Sequence, residues 1–214
     1  MLDPNTDFLR KALRLYLCTD RVLALGRPLP EALETAIAGG VTMVQLREKD
    51  ATSREFYDIA LTVRELTRRH NIPLVINDRL DIALAVDADG LHIGQSDLPL
   101  ETVRRIAGQR LFVGVSAGNL QEALQAEAVG ADYLGVGAVF PTGSKADAGQ
   151  AIGPEGLRAI CGAVHIPVVG IGGINPSNAA AVMQSGAAGI AVISAILSQQ
   201  DIRAAAENLM RSIG

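Results

Sequence analysis

The sequence predicts a closed parallel α/β barrel, the (β/α)8 or TIM-barrel class. The chain has 214 residues, and closed barrels of this kind usually span roughly 200 to 250. Short apolar β-rich runs recur with amphipathic segments between them, as a parallel sheet with crossover helices requires. About eight such units are present, the number that closes a barrel. A single barrel domain over residues 1–214 follows, with residues 1–12 as an N-terminal extension or short helix. Hydrophobic residues are 49% of the chain and aromatics only 3%. The expected core is therefore built from Ala, Val, Leu and Ile, in strands that read as continuous apolar runs.

The predicted strands, in order, are Leu13 to Cys18, Thr42 to Arg47, Pro73 to Asn77, Gly90 to Ile93, Leu111 to Ser116, Tyr133 to Val136, Pro167 to Ile171 and Gly189 to Val192. Between the first two, Pro30 suits a first helical position and Gly39-Gly40 a helix stop. After the second strand, Thr52 and Glu55 form a capping-box pattern. The helix they open runs to about His70, with Phe56, Ile59, Ala60, Val63 and Leu66 on one face. A further helix is predicted from Asn119 to Gly130. The phrases Ala38-Gly39-Gly40-Val41, Val129-Gly130-Ala131-Asp132 and Ser185-Gly186-Ala187-Ala188 each precede a strand, a pattern of recurring helix-to-strand turns rather than a sequence repeat. Ala179 to Leu197 is weakly polar but broken by Gln184, Ser185 and glycines, which fits helix, turn, strand and helix better than a membrane span.

Composition narrows the function classes. The net charge is −4, and no Lys/Arg cluster tracks a nucleic-acid backbone, so nucleic acid is excluded as a partner. Basic residues in a functional site then act locally on a small anion. The two cysteines, Cys18 and Cys161, make neither a disulfide framework nor a zinc pair and fit a reducing cytoplasm. Met1 to Arg10 lacks the basic start and apolar stretch of a secretory signal. No membrane association is expected, and the barrel helices are compatible with a homo-oligomer.

Chemistry in such barrels sits at the C-terminal strand ends. Strand two ends in Gln45-Leu46-Arg47-Glu48-Lys49, where alternation turns Gln45, Arg47 and Lys49 to one face. Arg47 offers a fork for phosphate and Lys49 a point charge, although a solvated charged strand end gives the same residues. Strand three ends in Asn77-Asp78, and strand four continues into His92-Ile93-Gly94-Gln95-Ser96-Asp97. Asp78 and Asp97 are placed to share a Mg²⁺ that takes its remaining oxygens from water and a diphosphate. Both positions suit helix N-caps equally well.

Two loops match the recurring phosphate site after strands seven and eight: Ile171 to Asn175, with its Gly172-Gly173 pair, and Val192-Ile193-Ser194-Ala195. The irregular stretch Phe140 to Gly153 carries Pro141-Thr142-Gly143-Ser144-Lys145, with two hydroxyls and an ammonium but not the spacing of a nucleotide-binding P-loop. Ser116 ends strand five. Of the histidines, His70 and His165 are expected on surface connections and His92 as a hydrogen-bonded group inside the barrel. Cys18 has no basic partner to make it a nucleophile.

Together, the segments Gln45 to Lys49, Asn77-Asp78, Leu91 to Asp97, Gly114-Val115-Ser116, Pro141 to Lys145, Ile171 to Asn175 and Ile193-Ser194 resemble the thiamine phosphate synthase family. The resemblance runs from strand one to the last helix. It implies a transferase of thiamine biosynthesis that joins a pyrimidine diphosphate to a thiazole phosphate and releases pyrophosphate. It also implies that Gln45, Leu46, Arg47, Glu48, Lys49, Asn77, Ser116 and Lys145 serve the pyrimidine diphosphate. Asp78 and Asp97 match the Mg²⁺ ligands, and Thr142, Gly143, Ser144, Gly173, Ile193 and Ser194 the thiazole phosphate cradle. Arg47, Lys49, Lys145 and Ser116 would carry the catalysis. Ser144 stands where a threonine is usual and keeps the hydroxyl, and Ala117-Gly118-Asn119 lacks a histidine often found there.

The chemistry agrees with this resemblance. A methylene on an electron-rich aminopyrimidine can lose diphosphate to leave a stabilised cation, so catalysis consists of neutralising the leaving group, and a thiazole nitrogen then attacks with its own lone pair. No general base is required, and the long loop is expected to close over the cation. The alternatives are a thiazole tautomerase of the same fold, in which the diphosphate equipment would be idle, and a non-catalytic barrel that only binds phosphorylated ligands.

Overall fold

Local chemistry sets where each element starts and stops. The computed structural model describes residues 6–143 and 150–214. Helix α1 (Thr6–Ala12) leads into β1 (Leu15–Cys18), followed by α2 (Leu29–Ala38), β2 (Met43–Leu46), α3 (Ser53–Arg69), β3 (Leu74–Asn77), α4 (Leu80–Ala85) and β4 (Gly90–Ile93). The second half continues with α5 (Leu100–Ala107), β5 (Phe112–Ala117), α6 (Leu120–Val129), β6 (Tyr133–Val136), α7 (Gly153–Ala163), β7 (Val168–Ile171), α8 (Ala179–Gln184), β8 (Gly189–Val192), α9 (Ser194–Leu197) and α10 (Ile202–Ser212). The strands pair in sequence order, all parallel, and β1 closes on β8. Each predicted strand is present.

Several strand ends trim the sequence reading by a residue or two, for chemical reasons, while β5 runs one residue further, to Ala117. Pro73 and Pro167 have no N–H to give a ladder. Thr42 takes the Leu15 N–H on its hydroxyl at 2.8 Å and donates to the Ala12 carbonyl at 2.9 Å. At the other end of β2, the Arg47 N–H bonds the Thr19 hydroxyl at 2.9 Å, so a side chain replaces the ladder.

The capping box of α3 is complete: the Thr52 hydroxyl accepts from the Glu55 N–H at 3.3 Å, and the Glu55 carboxylate accepts from the Thr52 N–H at 2.8 Å. The three glycine-containing phrases are helix stops, with Gly40, Gly130 and Gly186 at φ +107, +96 and +92. That left-handed conformation carries little penalty for glycine. Asn71 and Asp87 perform the same turn after α3 and α4, at φ +54 and +51.

The barrel interior departs from the expected aliphatic core. Register places Tyr16, Gln45, His92, Phe112, Gly114, Tyr133 and Gly135 on the inward face, and Tyr16, Phe112 and Tyr133 are at most 1% exposed. The glycines make room for the rings: a Cβ on Gly114 would lie 2.0 Å from Tyr133, and one on Gly90 would lie 2.3 Å from Phe112. Aliphatic residues such as Leu46, Val63, Val103 and Leu134 fill the layer between sheet and helices. Three of the seven aromatic residues thus fill the barrel bore, where volume is needed.

Charges at the N-terminal end of the barrel are closely paired. Asp89, just before β4, accepts from both terminal nitrogens of Arg64 on α3 at 2.5 and 3.1 Å, and from the Leu74 N–H at 2.8 Å. Asp132, just before β6, repeats the device with Arg104 on α5 and the Val113 N–H at 2.6 Å. Among the described residues, no helix is long and apolar enough to cross a membrane.

Candidate active site

The strand ends deliver polar side chains to one cavity of about 730 Å³ at the C-terminal mouth of the barrel. Arg47 and Lys49 reach it from just beyond β2, Asn77 and Asp78 from the end of β3, and Asp97 from the loop after β4. Ser116 lines it from β5, Thr142 and Gly143 from the loop after β6, Gly173 from the loop after β7, and Ile193 and Ser194 from the end of β8. Eleven sequence positions far apart in the chain therefore meet. Ser144 and Lys145, and the middle of the loop expected to close over the site, lie outside the described residues.

Three predicted contacts are placed elsewhere. The Gln45 side chain points into the bore and donates to the Tyr16 hydroxyl at 2.7 Å. Leu46 is fully buried on the other face of β2, in the sheet–helix core. Glu48 turns away to pair with Arg21 at 2.7 Å. Its second oxygen is buried without a hydrogen-bond partner, and burial raises its carboxyl above the ordinary range despite Arg21. Alternation along the strand turns Leu46 and Glu48 away from the face of Arg47 and Lys49, whereas Gln45 shares that face but lies one step deeper, inside the bore.

The acidic residues form a pair rather than two helix caps. Asp78 and Asp97 are within hydrogen-bond reach of each other, and the Lys49 ammonium donates to Asp78 at 2.6 Å. The residue that caps α4 is Arg79, that which caps α5 is Pro99, and neither makes a side-chain cap bond. Asp97 instead accepts from the Gly94 N–H at 2.7 Å, which folds the strand-four loop back on itself. Asp78 holds a left-handed φ of +63, unusual for a residue with a side chain, while its N–H stays bonded to the His92 carbonyl at 2.8 Å. Partial burial, followed by the neighbouring Asp97, raises the Asp78 carboxyl above its ordinary value, and Lys49 acts against this.

Among the described residues no set of three or more His, Cys, Asp or Glu gathers as a metal cage. Two carboxylates on one side of a phosphate-sized cavity are the donor set Mg²⁺ uses when substrate oxygens and water complete its shell. Two acids forced together and held by a single ammonium also fit a site designed around a further cation.

Some functional neighbours were not visible in the sequence. Asp20, in the turn after β1, sits 3.6 Å from Arg47 while its other oxygen accepts from the Val22 and Leu23 N–H groups. Gln95 donates to the Ser116 carbonyl at 2.6 Å, tying the ends of β4 and β5 together. Asn178 donates to the Gly173 carbonyl at 2.9 Å and fixes the glycine turn. Each is a polar residue in a turn, indistinguishable by pattern from a solvated one. The Gly172-Gly173 turn has a packing reason as well, since a Cβ on Gly173 would lie 2.5 Å from the Pro141 carbonyl.

The profile of the thiamine monophosphate synthase family matches residues 15–196. The chain belongs to this family. A thiamine-phosphate synthase of Ruminiclostridium cellulolyticum is 56% identical over 196 residues, covering 92% of this chain and 93% of the relative. One from Moorella thermoacetica is 56% identical over 195 residues, covering 91% and 93%. The solved thiamine phosphate pyrophosphorylase of Pyrococcus furiosus superposes with a TM-score of 0.89 at 48% identity, over 96% of this chain and 97% of that one. A geranylgeranylglyceryl phosphate synthase from Thermoplasma acidophilum, at 18% identity and a TM-score of 0.71, shares the fold.

Proposed function

We propose that this member of the thiamine monophosphate synthase family condenses 4-amino-2-methyl-5-(diphosphooxymethyl)pyrimidine with 4-methyl-5-(2-phosphooxyethyl)thiazole, giving thiamine monophosphate and pyrophosphate. It is an alkyl transferase acting on small molecules. The observation that carries the reading is the contact of Asp78 with Asp97 beside Lys49 and Arg47, on one wall of a cavity large enough for two phosphorylated ligands.

In this reading the bond between the pyrimidine methylene and the diphosphate oxygen breaks first, the electron pair leaving with the diphosphate. The thiazole nitrogen then forms the new bond to the methylene carbon, and the charge remains on the thiazolium. Arg47, backed by Asp20, offers its fork to the diphosphate, and Lys49 and Lys145 add charge. Mg²⁺ held by Asp78 and Asp97 supplies further stabilisation of the leaving group when bound. Asn77 and Ser116 orient the pyrimidine, while Gln45, Leu46 and Glu48 fix the path of the strand end. Gly173 in the turn after β7 and Ile193 and Ser194 at the start of α9, together with Thr142, Gly143 and Ser144, cradle the thiazole phosphate. One barrel domain supplies all of these groups.

The test is incubation of the purified protein with both substrates and Mg²⁺, following pyrophosphate release and identifying the product by mass spectrometry. Stoichiometric thiamine monophosphate is expected. Thiazole isomerisation without pyrophosphate release would make the protein a tautomerase, and binding without consumption of either ligand would make it a non-catalytic binder.

A further inference from the structure

A line of hydrogen bonds runs through the barrel bore and ends at the cavity. The Gln45 side-chain N–H donates to the Tyr16 hydroxyl at 2.7 Å, Tyr16 and Tyr133 share a bond at 2.9 Å, and Tyr133 meets His92 Nδ1 at 3.0 Å. His92 Nε2 then meets the Ser116 hydroxyl at 2.9 Å. Tyr16 and Tyr133 are fully buried, and His92 and Gln45 nearly so, whereas Ser116 lines the cavity. The proposed condensation assigns no step to Tyr16, Tyr133 or His92.

Each hydroxyl has one proton to give, and the first donor sets the direction. An amide N–H can only donate, so the Tyr16 oxygen accepts from Gln45. The Tyr16 proton is then directed to the Tyr133 oxygen, and the Tyr133 proton to His92 Nδ1. The imidazole consequently carries its proton on Nε2 and donates to the Ser116 oxygen. The Ser116 proton cannot then point at Nε2 and is available to an acceptor in the cavity. A doubly protonated His92 would donate to Tyr133, which would then donate to Tyr16. The buried Tyr16 proton would be left without the Tyr133 acceptor, at a desolvation cost.

We infer that Gln45, Tyr16, Tyr133 and His92 act as positioning residues that fix Ser116 as a hydrogen-bond donor, so that the ligand atom read at this point is an acceptor such as an aromatic ring nitrogen. The identity of the ligand rests on the proposed function; the direction of the relay does not. Glycine at 135 belongs to the same device, because a Cβ there would lie 2.9 Å from the His92 ring.

The relay is tested first without substrate, by ¹⁵N NMR of the neutral His92 ring. The expected signature is a proton on Nε2; a proton on Nδ1 overturns the inference whatever the enzyme does. Tyr133→Phe keeps the aromatic ring but removes the hydroxyl that donates to His92 Nδ1, and the spectrum should move toward a tautomer mixture. An unchanged spectrum in that variant would remove Tyr133 from the relay. The ligand side is read from kcat/KM for the pyrimidine diphosphate and its two analogues with one ring nitrogen replaced by C–H. One analogue should lose roughly three- to tenfold, as one neutral hydrogen bond allows, and Ser116→Ala should erase that difference. Equal use of both analogues by the unaltered protein, or a loss only when the exocyclic amino group is removed, would show Ser116 not to be donating to the ring. Absence of turnover with any of them alongside the expected His92 spectrum would sink the proposed reaction and the ring-nitrogen assignment and leave the relay standing.

Discussion

The two ends of this barrel treat aspartate in opposite ways. At the N-terminal end, Asp89 and Asp132 each meet an arginine and a backbone N–H of the preceding strand, so each negative charge is answered by a cation and a backbone donor together. At the C-terminal end, Asp78 is pressed against a second carboxylate and answered by one half-exposed ammonium. The first arrangement closes the structure. The second leaves charge uncompensated, and such residual frustration is what a site that takes up a cation and a polyanion requires.

The sharpest way to break this contrast is at Asp89. Asp89→Ala leaves Arg64 buried without its partner and should cost about 3–5 kcal/mol of stability, read from urea unfolding; a loss under about 1 kcal/mol would show that the pairing at that end is ornamental. Gly114→Ala probes the bore between the two ends. Its Cβ would fall 2.0 Å from Tyr133, so a loss of about 1–3 kcal/mol from overpacking is expected, together with a changed His92 spectrum.

Asp78→Asn should do the reverse of Asp89→Ala. Turnover should fall by more than about tenfold at limiting Mg²⁺ through loss of a metal ligand, while unfolding stability at pH 7 should hold or rise. The sign follows from the raised Asp78 carboxyl: the folded state holds the proton more tightly than the unfolded chain. The charge therefore disfavours folding above the folded-state pKa, and the penalty disappears as pH falls below the ordinary carboxylate value. A Tm lowered at pH 7 in the metal-free variant would place Asp78 with the stabilising acids. Glu48→Gln should give the smallest effect. Burial raises this carboxyl as well, so the variant should gain slightly in Tm at pH 7, and the gain should vanish at low pH where Glu48 is neutral in both states.

Much of the fold and part of the site was legible in the residues. The apolar runs are short and separated by capping signals such as Thr52 with Glu55 and Asn119 before α6, where the Asn119 side chain accepts from the Glu122 N–H. These signals are local, acting within three or four residues. Asp78, Asp97, Arg47 and Lys49 were legible because strand ends in a parallel barrel share one face of the molecule. Tyr16 and Tyr133 were not, because strands buried on both sides lack the alternation that separates inward from outward residues. At the end of β2 alternation did separate Arg47 from Leu46, and the structure keeps that separation: Leu46 packs against helices and Arg47 lines the cavity.

Sequence by itself determined the order of strands and helices, the turns at Gly40, Gly130 and Gly186, and the residue types available at each strand end, since these depend on backbone propensity and near neighbours. Tertiary structure alone decided that Asp78 touches Asp97, that Asp20 stands behind Arg47, and that Gln45 speaks to Ser116 through two tyrosines and a histidine. Those contacts join residues on different strands and loops, and their geometry depends on barrel closure and register, which bring distant side chains within hydrogen-bond reach.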